Sequence, residues 1–77
     1  MACITADGKL TRAGMDILRA LGDGPQSPED IAARTVLPLF RVRSGLRELR
    51  DAGYVELKDF STYLLTSRGR ETLAAPL

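Results

Sequence analysis

A cluster of arginines in the middle of the chain is the feature most suited to binding a ligand. Five arginines and one acid, Glu48, fall between residues 34 and 50, so this segment carries a net charge of +4. The arginines are Arg34, Arg41, Arg43, Arg47 and Arg50. The whole chain of 77 residues has a net charge of only +1, so the remainder is slightly acidic. We therefore expect a surface that binds an anion on one side of the protein.

The residue types that most enzymes and metal sites need are scarce. The chain has no histidine and one cysteine, Cys3, which excludes an intramolecular disulfide, a zinc site of the Cys/His type and a Ser-His-Asp triad. We also find no phosphate loop and no paired nucleophile and base. The sequence therefore predicts a protein that is not an enzyme and uses no metal and no cofactor.

Length and hydropathy point to one small domain. The apolar runs are far shorter than the roughly 20 residues that span a bilayer. The N-terminus has neither a basic start nor a long apolar stretch, so it does not resemble a signal peptide. We expect a cytoplasmic protein with no membrane contact.

Three helices are predicted in the first two thirds of the chain. Thr11 suits the cap of a helix over 12–21, and Ser27-Pro28 suits the start of a helix over 28–35. Pro38 disfavours a helical residue before it, so a third helix begins near residue 39 and runs to 52. Its apolar residues follow the spacing of one buried stripe: Leu39, Val42, Leu46 and Leu49.

Two short strands and a last helix follow. Gly53 suits the position after the third helix. Residues 54–58 and 62–66 alternate or are rich in strand formers, and residues 59–61 form the turn of a hairpin between them. Thr66 or Ser67 then suits the cap of a helix over 68–75.

Several segments together resemble a known group of regulators. Ile31-Ala32-Ala33-Arg34, with Leu37, Val42, Leu46, Leu49 and Ala52-Gly53-Tyr54-Val55, resembles the helix-turn-helix of winged-helix regulators. Leu64-Leu65-Thr66-Ser67-Arg68-Gly69-Arg70 resembles the YxLTxxGR pattern that ends the wing in the MarR and PadR groups. Gly24–Ala32 is similar to the stretch before their second helix, and the resemblance covers residues 10 to 73.

The resemblance implies an α+β fold, a three-helix winged helix-turn-helix with a C-terminal β-hairpin wing and a short final helix. A single domain would then comprise an N-terminal arm (1–10), a three-helix core (11–53), the wing (54–66) and the last helix and tail (67–77). Cys3 would be an unreactive thiol in a flexible arm.

The resemblance also implies binding to double-stranded DNA by a transcriptional regulator, with the third helix in the major groove. Arg43 and Arg47 would read guanine or contact phosphate, Arg41 would contact phosphate, and Ser44 would bond to a base or phosphate. Phe40 would contact a thymine methyl or a neighbouring element, and Lys58 is the best candidate in the wing. Gln26, Ser27 and Thr11 are further candidates for phosphate contacts, although Thr11 and Ser27 fit better as caps.

The residues leave open two alternative functions and the oligomeric state of the protein. Winged helices also serve as protein-docking modules, which would fit Phe40, Phe60 and the small net charge; an enzyme is the weakest alternative. We expect a homodimer through the apolar ends Met1–Ala6 and Leu73–Leu77, because one short helix in one groove provides little contact area. No small-molecule ligand is evident from the sequence.

Overall fold

The computed structural model describes residues 2–75 and has the predicted element order. Four helices and one hairpin follow each other along the chain: α1 (Arg12–Leu21), α2 (Pro28–Arg34), α3 (Leu39–Asp51), β1 (Val55–Leu57), β2 (Tyr63–Leu65) and α4 (Ser67–Ala74). The predicted α+β fold, a winged helix, is confirmed. No helix within residues 2–75 has the length and apolar character needed to cross a membrane.

Three side-chain caps set where the helices begin. The hydroxyl oxygens of Thr11, Ser27 and Thr66 accept hydrogen bonds from backbone N–H groups three residues further on, over 3.2, 3.1 and 3.1 Å. Each bond satisfies an N–H that has no partner within the helix. Thr11 and Ser27 are therefore caps as predicted, and Thr66, one of two candidates for the last helix, is the residue that caps α4.

The end of α3 determines where the wing begins. Gly53 has a φ of +89°, a conformation that side chains other than glycine rarely adopt. The Gly53 N–H donates to the Arg50 carbonyl over 3.0 Å, and the Tyr54 N–H donates to the Leu49 carbonyl over 2.9 Å. This pair of bonds is a Schellman motif, which ends the helix and directs the chain into β1.

The core lies between α1, α2, α3 and the hairpin. Ile17, Leu18, Ile31, Val42, Leu46, Leu49 and Val55 are its largest fully buried residues. The predicted stripe of α3 is thus buried at 42, 46 and 49, while Leu39 is half-buried at the start of the helix. At about 25 cal/mol per Å² of apolar surface, burial of these side chains is the main stabilising contribution. It fixes which side of α3 faces inward.

A backbone bridge between Gln26 and Tyr63 of β2 was not predicted. The backbone N–H of Gln26 donates to the Tyr63 carbonyl over 3.0 Å, and the Tyr63 N–H donates to the Gln26 carbonyl over 2.8 Å. The Gln26 side chain is buried and donates through Nε2 to the Ala20 carbonyl. The interpretation of Gln26 as a phosphate contact is therefore wrong, because its amide is inside the domain.

The N-terminal segment also differs from the prediction. Ile4 and Leu10 form an antiparallel bridge, and the side chain of Cys3 is buried, with 3% of its surface exposed. The backbone N–H of Cys3 donates to the Glu48 carboxylate over 3.1 Å, and the Thr11 N–H donates to the Cys3 carbonyl over 2.9 Å. The prediction of a flexible arm around Cys3 is wrong, because α3 supplies both a slot and a hydrogen-bond acceptor for it.

Gly45 supplies the slot. A methyl group at this position would collide with Cys3 Sγ and would lie 2.8 Å from Cδ1 of Ile17. Burial raises the pKa of the Cys3 thiol, and the nearby Glu48 carboxylate raises it further. The thiol is therefore protonated at neutral pH, which agrees with the predicted unreactive cysteine.

We expect Gly45→Ala to lower the free energy of unfolding. The steric clash costs about 1–3 kcal/mol, which exceeds the gain of up to about 1 kcal/mol from replacing a helical glycine. Urea denaturation followed by circular dichroism measures the difference. The control is the same substitution in a Cys3→Ala background, where the missing sulfur reduces the loss; an equal loss in both backgrounds would mean that Cys3 does not pack on Gly45.

Candidate nucleic-acid interface

The outer face of α3 carries the exposed residues that the sequence singled out. Phe40, Arg43, Ser44 and Arg47 follow each other at intervals of three, one and three residues, which places them on one side of a helix at about 100° per residue. All four are exposed, and Phe40 is 71% exposed. The buried stripe of Val42, Leu46 and Leu49 lies on the other side. Four of the six predicted site residues thus share one open surface, which we call the α3 outer face.

Arg43 is connected to the preceding helix. Its Nη2 donates to Oε2 of Glu29, on the first turn of α2, over 3.1 Å. The side chains remain 55% and 60% exposed, respectively. Hydrogen bonds to its own backbone N–H, to Arg43 and to Ser27 hold the pKa of the Glu29 carboxyl below its ordinary value. The carboxylate is therefore ionised at neutral pH, so the contact is an ion pair.

An open cleft lies between α3 and the wing. Its volume is about 270 Å³, and its lining comprises Pro28, Glu29, Arg43, Arg47, Phe60, Ser61 and Tyr63. Two arginines and one glutamate thus line the same cleft as residues of the hairpin. Such a basic cleft next to an exposed helix suits an extended polyanion, because both arginines are able to contact it at once.

The wing tip has a local hydrogen-bond framework. The Ser61 N–H donates to Oδ1 of Asp59 over 3.1 Å, and the Lys58 N–H donates to the Thr62 carbonyl over 2.7 Å. The first of these bonds is the main reason that the pKa of Asp59 lies below its ordinary value. Phe60, between them, is fully exposed. The framework presents Phe60 to solvent, while the exposed Lys58 is not among the residues that line the cleft.

The structure places Arg41 apart from the α3 outer face. Arg41 is half-buried and shares a side of α3 with Gly45 and Glu48, where the N-terminal segment packs. Its guanidinium Nη1 is buried without a hydrogen-bond partner among the described residues. Its charge is near enough to Cys3 to lower the pKa of that thiol, against the larger effect of burial. To contact Arg41 as predicted, a phosphate would therefore have to reach a different side of α3 from the side that carries Arg43 and Arg47.

The outer two arginines of the basic segment have separate positions. Arg34 donates to Oδ2 of Asp23 over 2.8 Å, in an exposed ion pair between α2 and the turn after α1. Arg50 is exposed near the C-terminal end of α3. The interface is therefore built around Arg43 and Arg47 rather than around all five arginines.

Glu29 has no functional assignment from the sequence alone, and Phe60 has one only under the protein-docking alternative. The sequence signal available for Phe60 was its large apolar side chain in a polar turn. No local signal connects Glu29 to Arg43, because the two residues are 14 positions apart and meet through the packing of α2 on α3.

The fold is that of a DNA-binding regulator domain. A solved structure of BpsR from Bordetella bronchiseptica, whose DNA binding is regulated by 6-hydroxynicotinic acid, matches 88% of this chain with a TM-score of 0.81 and 28% sequence identity. The match covers 53% of the BpsR chain, so this chain spans about half the length of that protein. No protein-family model and no curated protein matches the chain.

We expect the exposed aromatic residues to contribute little to stability. Phe40→Ala should change the free energy of unfolding by less than about 0.5 kcal/mol, as is usual for surface positions. Leu46→Ala, six residues further along α3 and fully buried, should lower it by about 2–5 kcal/mol. Urea denaturation of both variants provides the comparison. A loss above about 1 kcal/mol for Phe40→Ala would show that Phe40 packs within the domain.

Proposed function

We propose that this domain binds double-stranded DNA as part of a transcriptional regulator, with α3 in the major groove. The observation that supports this most directly is the α3 outer face, where Arg43, Ser44 and Arg47 are exposed together on the helix that the helix-turn-helix presents. The major groove is about 12 Å wide and admits one α-helix. The likeness to the DNA-binding protein BpsR supports the same function.

The residues of the α3 outer face differ in the groups of DNA that they would contact. Arg43 and Arg47 carry the planar guanidinium groups that pair with guanine O6 and N7 or with phosphate. Ser44 bonds to a base or a phosphate, and Phe40 contacts a thymine methyl. The wing, through Lys58, contacts the backbone or the adjacent minor groove, and Arg41 contacts phosphate from the side of the N-terminal segment.

The size of the domain favours two copies on one site. Its Cα atoms span 28 Å in the longest direction, which is shorter than the roughly 34–36 Å between half-sites one helical turn apart. A palindromic site of that spacing therefore requires two domains. The homodimer remains a prediction, but Cys3 and Leu73 pack on the core of their own chain and contribute little free apolar surface to it. Residues 1, 76 and 77, also in the predicted dimer surfaces, lie outside the described residues.

A docking module for another protein is the second candidate function. It is favoured by Phe40 and Phe60, which are 71% and fully exposed on either side of the arginines. Exposed aromatic and arginine residues are the types that dominate protein interfaces. Binding to DNA and binding to a protein differ in their dependence on salt, because DNA binding releases counterions.

The test is a titration of duplex DNA with random sequence at 50 and 200 mM salt, followed by selection of enriched sites. We expect wild-type binding to weaken steeply with salt. Arg43→Ala/Arg47→Ala should bind the enriched sites at least about tenfold more weakly, since each arginine that pairs with guanine contributes about 1–3 kcal/mol. The matched control is Arg12→Ala/Arg19→Ala, which removes two exposed arginines from α1. Circular dichroism verifies that the variants are folded.

The outcomes separate the two functions. Loss of binding in the α3 variant alone places the DNA contact on the α3 outer face. Equal losses in both double variants would mean that only total charge matters, which contradicts α3 as the reading helix. No binding by the wild type at 50 mM salt would exclude the DNA-binding proposal and favour a protein partner, with Phe40→Ala as the first variant to test.

A further inference from the structure

The ion pair between Glu29 and Arg43 has a consequence for specificity, which rests on the proposed binding to DNA. We propose that Glu29 is a specificity-determining residue whose carboxylate disfavours contact between Arg43 and the DNA phosphates, while leaving Arg43 able to bind a base edge. The ligand class is duplex DNA with a guanine opposite Arg43. Glu29 itself would touch no base.

The position of Glu29 allows this role. Its Oε2 lies 3.1 Å from Nη2 of Arg43, and both residues line the cleft between α3 and the wing. Arg47 lines the same cleft. The charges of Glu29, Arg43 and Arg47 therefore sum to +1, whereas the two arginines alone would give +2. The Glu29 carboxylate therefore lies close to any anion that binds to the Arg43 guanidinium.

The two acceptors on DNA respond differently to a carboxylate. A phosphate that bonds to Arg43 carries a full negative charge, so it is repelled by Glu29 and competes with it for the guanidinium. The O6 and N7 atoms of guanine are neutral acceptors, and a guanidinium has five N–H donors, enough for one bond to Glu29 and two to guanine. Glu29 thus penalises non-specific contacts more than base-specific ones.

The stability of α2 does not require a charge at position 29. Ser27 already caps the helix through the Asp30 N–H, and Pro28 occupies its first position. Asp30 supplies a second carboxylate to the same turn. An exposed ion pair adds little to stability, so the exchange of one carboxylate for an amide should leave the domain folded. Glu29→Gln therefore isolates the effect on binding.

The experiment compares Glu29→Gln with Asp30→Asn, which removes the same charge one residue away without removing the carboxylate that bonds to Arg43. Two duplexes are titrated, a random-sequence pool and the duplex that the wild type enriches from it. For Glu29→Gln we expect binding to the pool to tighten about three- to fivefold, the size of one exposed charge interaction. The slope of log K against log salt should steepen by about 0.9, the value of one additional phosphate contact. Binding to the enriched duplex should change less, so the ratio of the two affinities falls.

The Arg43→Ala background tests whether the effect acts through Arg43. There, Glu29→Gln should change binding no more than Asp30→Asn does. The proposal is overturned if both acidic variants behave alike in the wild-type background, or if the Glu29→Gln effect persists without Arg43. It is also overturned if the affinity ratio rises.

A measurement without DNA separates this proposal from the proposed function. NMR titration of the Glu29 carboxyl should give a higher pKa in Arg43→Ala than in the wild type, since the guanidinium lowers it. An unchanged pKa would show that Glu29 and Arg43 do not form the ion pair, and this would overturn the proposal whatever the protein binds. If the pKa rises but the wild type does not bind the random-sequence pool and enriches no duplex from it, the DNA-binding function has failed and the specificity role falls with it.

Discussion

Burial of one side of α3 is the constraint on which the interface depends. Val42, Leu46 and Leu49 have no exposed surface, and they pack into the core formed with α1, α2 and the hairpin. A rotation of α3 about its axis would expose these side chains and is opposed by the apolar surface that it would bring into water. The opposite side of α3 is therefore free, and the residues placed there by the helical repeat are presented together. The open arrangement of Arg43, Ser44 and Arg47 is a consequence of packing rather than of any attraction among them.

A third side of α3 is occupied by the N-terminal segment. Cys3 fills the slot over Gly45, and its backbone N–H bonds to Glu48. This contact packs against the side of α3 that carries Arg41, which stays half-buried, so the helix is held by its own chain on two sides and is fully open only on the α3 outer face. A 77-residue domain buries a modest fraction of its surface, and the segment adds both apolar contact and hydrogen bonds to the helix that carries the interface. Its role in this domain is to support α3.

Charge in this protein is arranged locally. The net charge of +1 gives little long-range attraction to DNA, so the proposed binding to DNA would depend on the few arginines of the α3 outer face. Three of the eleven basic residues form ion pairs among the described residues, and one of these pairs, Glu29 with Arg43, lies inside the interface. Such a pair reduces attraction to any polyanion while it leaves hydrogen-bond donors available. This arrangement is consistent with the proposed role of Glu29, in which bonding geometry matters more than total charge.

Local signals along the chain specify the order of the elements and most of their ends. The Thr11 and Ser27 caps, Pro38 before α3 and Gly53 after it act within a few residues, and the 3.6-residue repeat identifies the buried side of a helix without knowledge of its neighbours. The same repeat places Phe40, Ser44 and Arg47 on the side opposite the buried stripe, with Arg43 flanking them. The tertiary structure alone decided the contacts between distant residues: Cys3 with Gly45, Gln26 with Tyr63, and Glu29 with Arg43. Each of these pairs is 14 or more positions apart in the chain, and no local periodicity or capping preference relates residues at that distance. They are set by how the helices and the hairpin pack, which is why the flexible arm and the phosphate contact of Gln26 were predicted wrongly.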